Sequence, residues 1–238
     1  MLLPRMLVVL CAALLALAGC GGSGQSRVPD PTLRFLNASV DSVALDFLLD
    51  DEVKAVAVPY LGSMQNFQSL SAGERDLRLR ENGNPFELTN EAFTFQPDRD
   101  YLTVAVGLVN FGSEFLKRLR SVTFQVDRSV PNGNKSRLYV IHAYHRMAGF
   151  ETPPIDFQSP GDNPLFRLQD IGFAGQKSMI VDSGAQTFEA RRAGTQNVLV
   201  STSFTLGAGK VYAVIVGGRE DGVGSQSPSM TFIELQTE

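Results

Sequence analysis

The 238-residue sequence predicts an all-β protein: two tandem antiparallel β-sandwich domains, immunoglobulin- or transthyretin-like, behind a signal peptide. Three observations predict it. Strand-period alternation runs through most of the chain after residue 32, blocks of the first half recur in order in the second, and the N-terminus carries one apolar run.

The N-terminus comes first. Met1–Arg5 is a short basic start, and Met6–Leu17 is an almost unbroken apolar run of 12 residues. That length is short for a hydrocarbon core of ~30 Å and suits the apolar region of a secretory signal. The run closes on Leu17-Ala18-Gly19-Cys20. This resembles the bacterial lipobox, in which small residues admit a peptidase and the cysteine thiol takes a diacylglycerol. The resemblance implies residues 1–19 as a lipoprotein signal peptide and Cys20 as the lipidation site, acylated with palmitate-type chains. Several acyl chains, at about 0.8 kcal/mol per buried methylene, hold a protein at a bilayer almost permanently. Gly21-Gly22-Ser23-Gly24-Gln25-Ser26 opens a flexible tether over 20–31. Position 21 is Gly rather than Asp, which by the same resemblance favours the outer over the inner membrane.

The body then reads as strands. Leu77-Arg78-Leu79-Arg80, Leu102–Leu108, Val122–Val126 and Val198–Leu206 alternate, the pattern of strands half-buried on one face. Turn residues separate them at Asn82-Gly83-Asn84-Pro85, Pro97-Asp98, Pro131-Asn132-Gly133-Asn134 and Gly207-Ala208-Gly209. Four blocks repeat. Arg34–Ser39 matches Tyr139–Tyr144, Ala44–Phe47 matches Pro154–Phe157, Tyr101–Gly107 matches Tyr212–Gly218, and Ser121–Phe124 matches Ser229–Phe232, at offsets between 105 and 111 residues. A period near 100 residues is a duplicated domain. The expected division is a first repeat over 32–128, a linker over 129–136 and a second repeat over 137–238, with two separate cores.

These blocks resemble the envelope family catalogued as domain of unknown function 4397. Its halves open on Arg-x-x-Asn/His-Ala-Ser, which Arg34, Asn37, Ala38 and Ser39 match. His142 and Ala143 match it in the second half, where Tyr144 replaces the serine. Asp46 and Asp156 match the following strand. Gly209-Lys210-Val211-Tyr212 matches the closing strand, and Asp98–Tyr101 matches it loosely. The usual proline after Ala-Ser is missing from both halves. The resemblance implies a bacterial surface or periplasmic lipoprotein from a family with no established activity.

Composition excludes some functions. Net charge is −4, or −5 without Arg5, which argues against nucleic-acid binding through a basic surface. The two cysteines, Cys11 and Cys20, leave the body no disulfide. His142 and His145 are three apart, opposite faces if one strand continues through both, so no shared metal is expected. The resemblance places His142 inside its sandwich, bonded to backbone as Asn37 would be. No Gly-x-Ser-x-Gly elbow or phosphate loop occurs, and neither catalytic residues nor cofactors are expected. Asp46 and Asp156 are expected to face solvent, with a minority reading in which each accepts bonds from a nearby turn. Lys117-Arg118-Leu119-Arg120 reads as a solvated loop or edge strand, or as an anchor for anionic lipid or polysaccharide. Phe150–Asn163 and the Gly-rich stretch 217–229 read as loops suited to recognition. The expected function is a non-enzymatic, lipid-anchored envelope protein for adhesion, scaffolding or ligand binding. Its expected partners are the membrane through Cys20 and an envelope protein or polysaccharide. The alternatives are an envelope hydrolase using Asp156 and Asp162, and an accessory chain of a larger complex.

Overall fold

A strand with one apolar face needs partners for its backbone and a second sheet to cover that face. In the computed structural model, which describes residues 28–112, 115–147 and 149–235, sixteen strands meet both needs in four sheets. The first half contains β1 (Thr32–Asn37), β2 (Leu45–Leu49), β3 (Glu52–Val58), β4 (Gln68–Ser69), β5 (Gly73–Glu81), β6 (Glu87–Phe95), β7 (Asp100–Val106) and β8 (Arg120–Val126). The second contains β9 (Lys135–His142), β10 (Ile155–Gln158), β11 (Arg167–Ile171), β12 (Gln176–Asp182), β13 (Gly184–Arg192), β14 (Val198–Leu206), β15 (Val211–Gly217) and β16 (Ser229–Glu234). The sheet orders are β4-β1-β7-β8 and β3-β2-β5-β6, then β12-β9-β15-β16 and β11-β10-β13-β14. Adding eight to every label of the first half reproduces the second. The fold is therefore all-β, as two β-sandwiches.

Two details depart from the expectation. The sandwiches are not wholly antiparallel: β1 runs parallel to β7, and β9 to β15. In each half the chain leaves the inner sheet twice before the second central strand. In the first half β2–β3 are outer, β4 returns to the inner edge, β5–β6 are outer again, and β7 then enters from the same end as β1, as β15 does relative to β9. The fourth repeated block is also out of step by one residue. Ladder positions align Thr123 with Phe232, because Thr123 faces Thr103 and Phe232 faces Val214. A slip of one residue exchanges the two faces of a strand.

The larger correction concerns the cores. The first half closes over Phe35, Leu45, Phe47, Leu79 and Phe95, and the second over Leu138, Ile155, Phe157, Phe188 and Val214. A third cluster joins the inner sheets of the two halves: Leu36, Leu102, Val104, Ile141, Ala213 and Ile215, all fully buried. Parity divides the layers. On β7, residues 102, 104 and 106 face the other half, while 101 and 105 face their own core. On β15, residues 211, 213 and 215 face across, and 212, 214 and 216 face inward. The four central strands β1, β7, β9 and β15 are thus covered on both faces, and Leu102–Val106 is not the half-buried strand its alternation suggested. Thr103, the polar residue of that run, joins its hydroxyl to that of Thr123 at 2.8 Å.

Polar bonds also cross the join. Arg34 on β1 donates from Nη1 to the Glu234 carbonyl at 2.7 Å, from Nε to the Met64 carbonyl at 2.8 Å and from Nη2 to Ser63 Oγ at 2.9 Å. After β8, the Asp127 amide donates to the Tyr139 hydroxyl at 2.6 Å, and Arg137 donates to the Asp127 carbonyl at 2.6 Å. The passage from one half to the next is therefore pinned where it leaves β8.

Candidate functional site

The repeated aspartates come first, since a buried carboxylate is costly unless it is paired. Asp46 on β2 and Asp156 on β10 are buried, not solvent-facing. Each lies where its strand's ladder slips against the neighbouring edge strand, between Leu45 and Phe47 and between Ile155 and Phe157. Opposite the slip the edge strand takes a left-handed residue, Ala57 (φ 53°) or Asp170 (φ 51°), whose amide turns out of the ladder. The aspartate collects it: the Ala57 amide donates to Asp46 Oδ1 at 2.9 Å and the Asp170 amide to Asp156 Oδ1 at 3.0 Å. Asn82 Nδ2 (2.9 Å) and Arg80 Nε (3.1 Å) complete Asp46. Arg167 and the Gly194 amide (3.3 Å) complete Asp156. Burial raises both carboxyls, but these donors outweigh it and hold each below the usual aspartate range. The minority reading of the sequence is the correct one, and both aspartates are clips for β-bulges. Asp162, the other carboxylate of the hydrolase alternative, is exposed beyond β10.

Asn37 and His142 end β1 and β9 at the same ladder position. Both are fully buried. Asn37 Nδ2 donates to the Val58 carbonyl at 3.0 Å, and His142 Nδ1 lies 2.9 Å from the Ile171 carbonyl. His142 thus bonds backbone as Asn37 does. Among the described residues, His142 Nε2 and both ring nitrogens of His145 have no hydrogen-bond partner. Burial first, and for His145 then Lys117, pushes the pKa of His142 down to about 4 and that of His145 to about 3. The strand stops at His142, so alternation does not carry to His145. The two rings approach the same phenyl, Phe173, with centroids at 5.8 and 4.7 Å. Among the described residues no group of three His, Cys, Asp or Glu could hold a metal.

Above Phe173 a groove of about 850 Å³ opens between the halves. The first half contributes Leu116, Lys117 and Arg120 from the stretch before and into β8, and the second contributes Phe150, Glu151 and Thr152. A loop returning close to the end of β7 shapes the first wall. Gly107 sits there at φ +116°, and a Cβ would come within 2.3 Å of the Arg118 carbonyl oxygen. The equivalent Gly218 (φ +92°) stands in the same relation to Ser227, again 2.3 Å.

The groove joins apolar and cationic surface. Leu116 is 78% exposed and Phe150 47% exposed, unusual for side chains of this size. The Arg146 guanidinium lies 4.5 Å from the Phe150 ring centroid, and that of Arg120 5.5 Å from the Phe173 centroid. Lys117 is buried, with Nζ donating to the carbonyls of Arg146 and Met147 at 3.2 Å each. The basic run is thus only in part the solvated loop or edge strand expected: Arg118 is exposed and Arg120 opens the edge strand β8, but Leu119 is core, Lys117 ties the halves together, and Arg120 lines the groove. The sequence drew separate attention to Lys117–Arg120 and to the stretch from Phe150. It gave no sign that they meet, or that Phe173 lies between them. Part of that second stretch, Ile155–Gln158, is β10 rather than loop.

The signal segment, Cys20 and the tether up to residue 27 lie outside the described residues. Val28–Asp30 is exposed and precedes β1.

A family model described as Domain of unknown function (DUF4397) matches residues 31–157. The match covers the first sandwich and continues through β9 to residue 157, inside β10. No curated protein matches the chain. Among solved structures, the Bacillus anthracis TIE protein is similar at 11% identity and a TM-score of 0.27, over 79% of this chain. The chain spans 33% of that protein's length. The CBM26-family module CBMbc of Eubacterium rectale Amy13K, solved with maltoheptaose, is similar at 12% identity and a TM-score of 0.23, over 88% of this chain and 98% of the module. At those scores neither guides the assignment of a site.

Proposed function

For this chain, which belongs to the DUF4397 family through residues 31–157, we propose a non-enzymatic role as a lipid-anchored envelope protein that holds a partner in the groove between its two sandwiches. The second sandwich acts in this reading as a further copy of the same domain. One observation supports it above the others: exposed Leu116 and Phe150 stand beside Arg120 and Arg146, with Phe173 between the halves. Apolar surface with a few convergent polar groups is how recognition clefts are built. The partner is an envelope polymer, polysaccharide or protein, that sets apolar surface beside negative charge. The anchor is lipid on Cys20, with the outer membrane as the favoured location.

A photo-crosslinking residue at position 150, in the full chain on intact cells, tests the groove. The same residue at Phe86, which is exposed in the β5–β6 turn, is the control. Capture of one defined partner from position 150 and not from 86 is the expected result. Equal capture at both positions, or turnover of a substrate by the purified chain, contradicts the reading. The anchor has its own test: Cys20→Ser should abolish incorporation of labelled fatty acid, and persistent labelling would remove the lipid from this account. The hydrolase alternative retains only Asp162 in the open, since Asp156 is committed to Arg167, Asp170 and Gly194.

A further inference from the structure

Each of the four sheets ends in two edge strands, and an unpaired edge is a template for another chain. Most edges here carry the usual deterrents. β3 has Glu52, Lys54 and the Ala57 bulge; β11 has Arg167 and the Asp170 bulge. β12 carries Lys177 and Asp182, β8 Arg120 and β16 Glu234, while β4 is two residues long. β6 carries Glu87 and Glu91. β14 is the exception among the described strands. It is nine residues long, pairs only with β13, and holds no charge and no proline: Val198-Leu199-Val200-Ser201-Thr202-Ser203-Phe204-Thr205-Leu206. Its ladder slips once, at Leu199, so the regular run is Val200–Leu206.

That strand also nearly matches its own reverse. An antiparallel partner of the same sequence, centred on Thr202, would set Thr202 against Thr202, Ser201 against Ser203 and Val200 against Phe204, all within the regular run. Directly opposed residues share a face. The two serine pairs would lie on the exposed outer face. The Val200–Phe204 pairs would lie on the inner face, where both side chains are half-buried against the second core. The equivalent strand of the first half shows what prevents such pairing. Ladder positions align Glu91 with Thr202, since Glu91 faces Leu77 and Thr202 faces Phe188. Pairing two copies of β6 about that point would oppose Glu91 to Glu91, and like charges directly opposite destabilise a ladder.

We propose that β14 pairs with β14 of a second copy of this chain, joining two outer sheets into one continuous eight-stranded sheet with its two-fold axis at Thr202. A single strand pair is a small interface. Self-association in solution is therefore weak, measurable by about 100 μM protein, and stronger for copies confined to one surface. The groove lies elsewhere, so the pairing stands or falls independently of the proposed partner.

Two measurements on the purified full chain in mild detergent test it. Sedimentation, corrected for bound detergent, should show mass rising toward a dimer with concentration. Ser201→Lys with Ser203→Lys, which opposes lysines on the exposed face, should leave the chain monomeric with an unchanged melting profile. In the second, Thr202→Cys should form an intermolecular disulfide under oxidation, because directly opposed Cα atoms fall within disulfide range. Ser201→Cys, whose copies would be offset along the strands, should cross-link at least several-fold less, and the unsubstituted chain, whose Cys20 thiol the lipid occupies in this reading, supplies the background. A chain monomeric at 100 μM, cross-linking equal at 201 and 202, or a dimer that survives the two lysines would overturn the proposal.

Discussion

The first and second sandwiches share one scaffold and differ where the scaffold makes no demand. Asp46 and Asp156 clip the same bulge, with the left-handed residue at Ala57 or Asp170. Tyr101 and Tyr212 each accept a backbone amide five residues earlier, from Gln96 and Gly207, at 3.0 Å in both halves. Gly107 and Gly218 each admit a passing carbonyl. Elsewhere the halves diverge. Asn37 becomes His142, a neutral partner becomes a titratable one, and Glu91 of the β6 edge becomes Thr202 of β14. The difference teaches that the shared residues satisfy backbone groups stranded by the fold, whereas the divergent ones alter what the molecule does with its surface and with pH.

Removing a shared residue should damage either half alike and, at neutral pH, most severely. Asp156→Ala leaves Arg167 unpaired and strands the Asp170 and Gly194 amides. It should cost about 2–3 kcal/mol, chiefly for the stranded amides, because Arg167 and Arg80 reach solvent, and Asp46→Ala should fall in the same range. Urea titration read by circular dichroism measures both. A loss below 1 kcal/mol at one site alone would break the equivalence.

The next effect separates the halves by pH. His142 and His145 are neutral in the fold, with pKa values of about 4 and 3 against an ordinary 6.5, so unfolding takes up protons. Their contribution is full above pH 6.5 and declines as pH falls toward 4 and 3. The aspartates, depressed from 3.8, lose theirs only below that value. Between pH 6.5 and 4 the histidines should therefore dominate the loss. His142→Asn, which copies Asn37, should recover roughly 3 kcal/mol of the decline at pH 4. Denaturant midpoints across that interval provide the check, and an unchanged slope in the variant would contradict it.

The smallest effect sharpens the likeness. Tyr101→Phe and Tyr212→Phe each leave one amide without its acceptor and should each cost about 1 kcal/mol. Thermal melts of the two variants should agree closely, and markedly different losses would mean that the two corners are not equivalent.

Much of this architecture was legible in the residues. Alternation around Leu77–Arg80 and Val198–Leu206 marked strands, and the recurrence of Ala-Leu-Asp-Phe as Pro-Ile-Asp-Phe located β2 and β10. The third core was less so. Leu102, Val104 and Val106 with Tyr101 and Ala105 make a run apolar on both faces, the signature of two-sided burial. Thr103 breaks the run, and only its bond to Thr123 shows why a hydroxyl is tolerated there. The aspartates misled because alternation predicts which face a side chain takes but not that a bulge opposite will turn an amide toward it. The groove was hidden for another reason. Arg120, Phe150 and Phe173 are remote in sequence, and only the packing of the inner sheets brings them together.

That packing is the central claim: the two sandwiches form one body through the cluster around Leu36, Leu102, Ile141 and Ile215. Hydrogen exchange of the Ile215→Ala variant tests it most directly, because the substitution lies in the second half and the readout can be taken in the first. Protection of the β1 and β7 amides should fall by the same free energy as that of β9 and β15. Lost protection confined to the second half, with β1 and β7 unchanged, would show that the halves fold as separate units and would contradict the account.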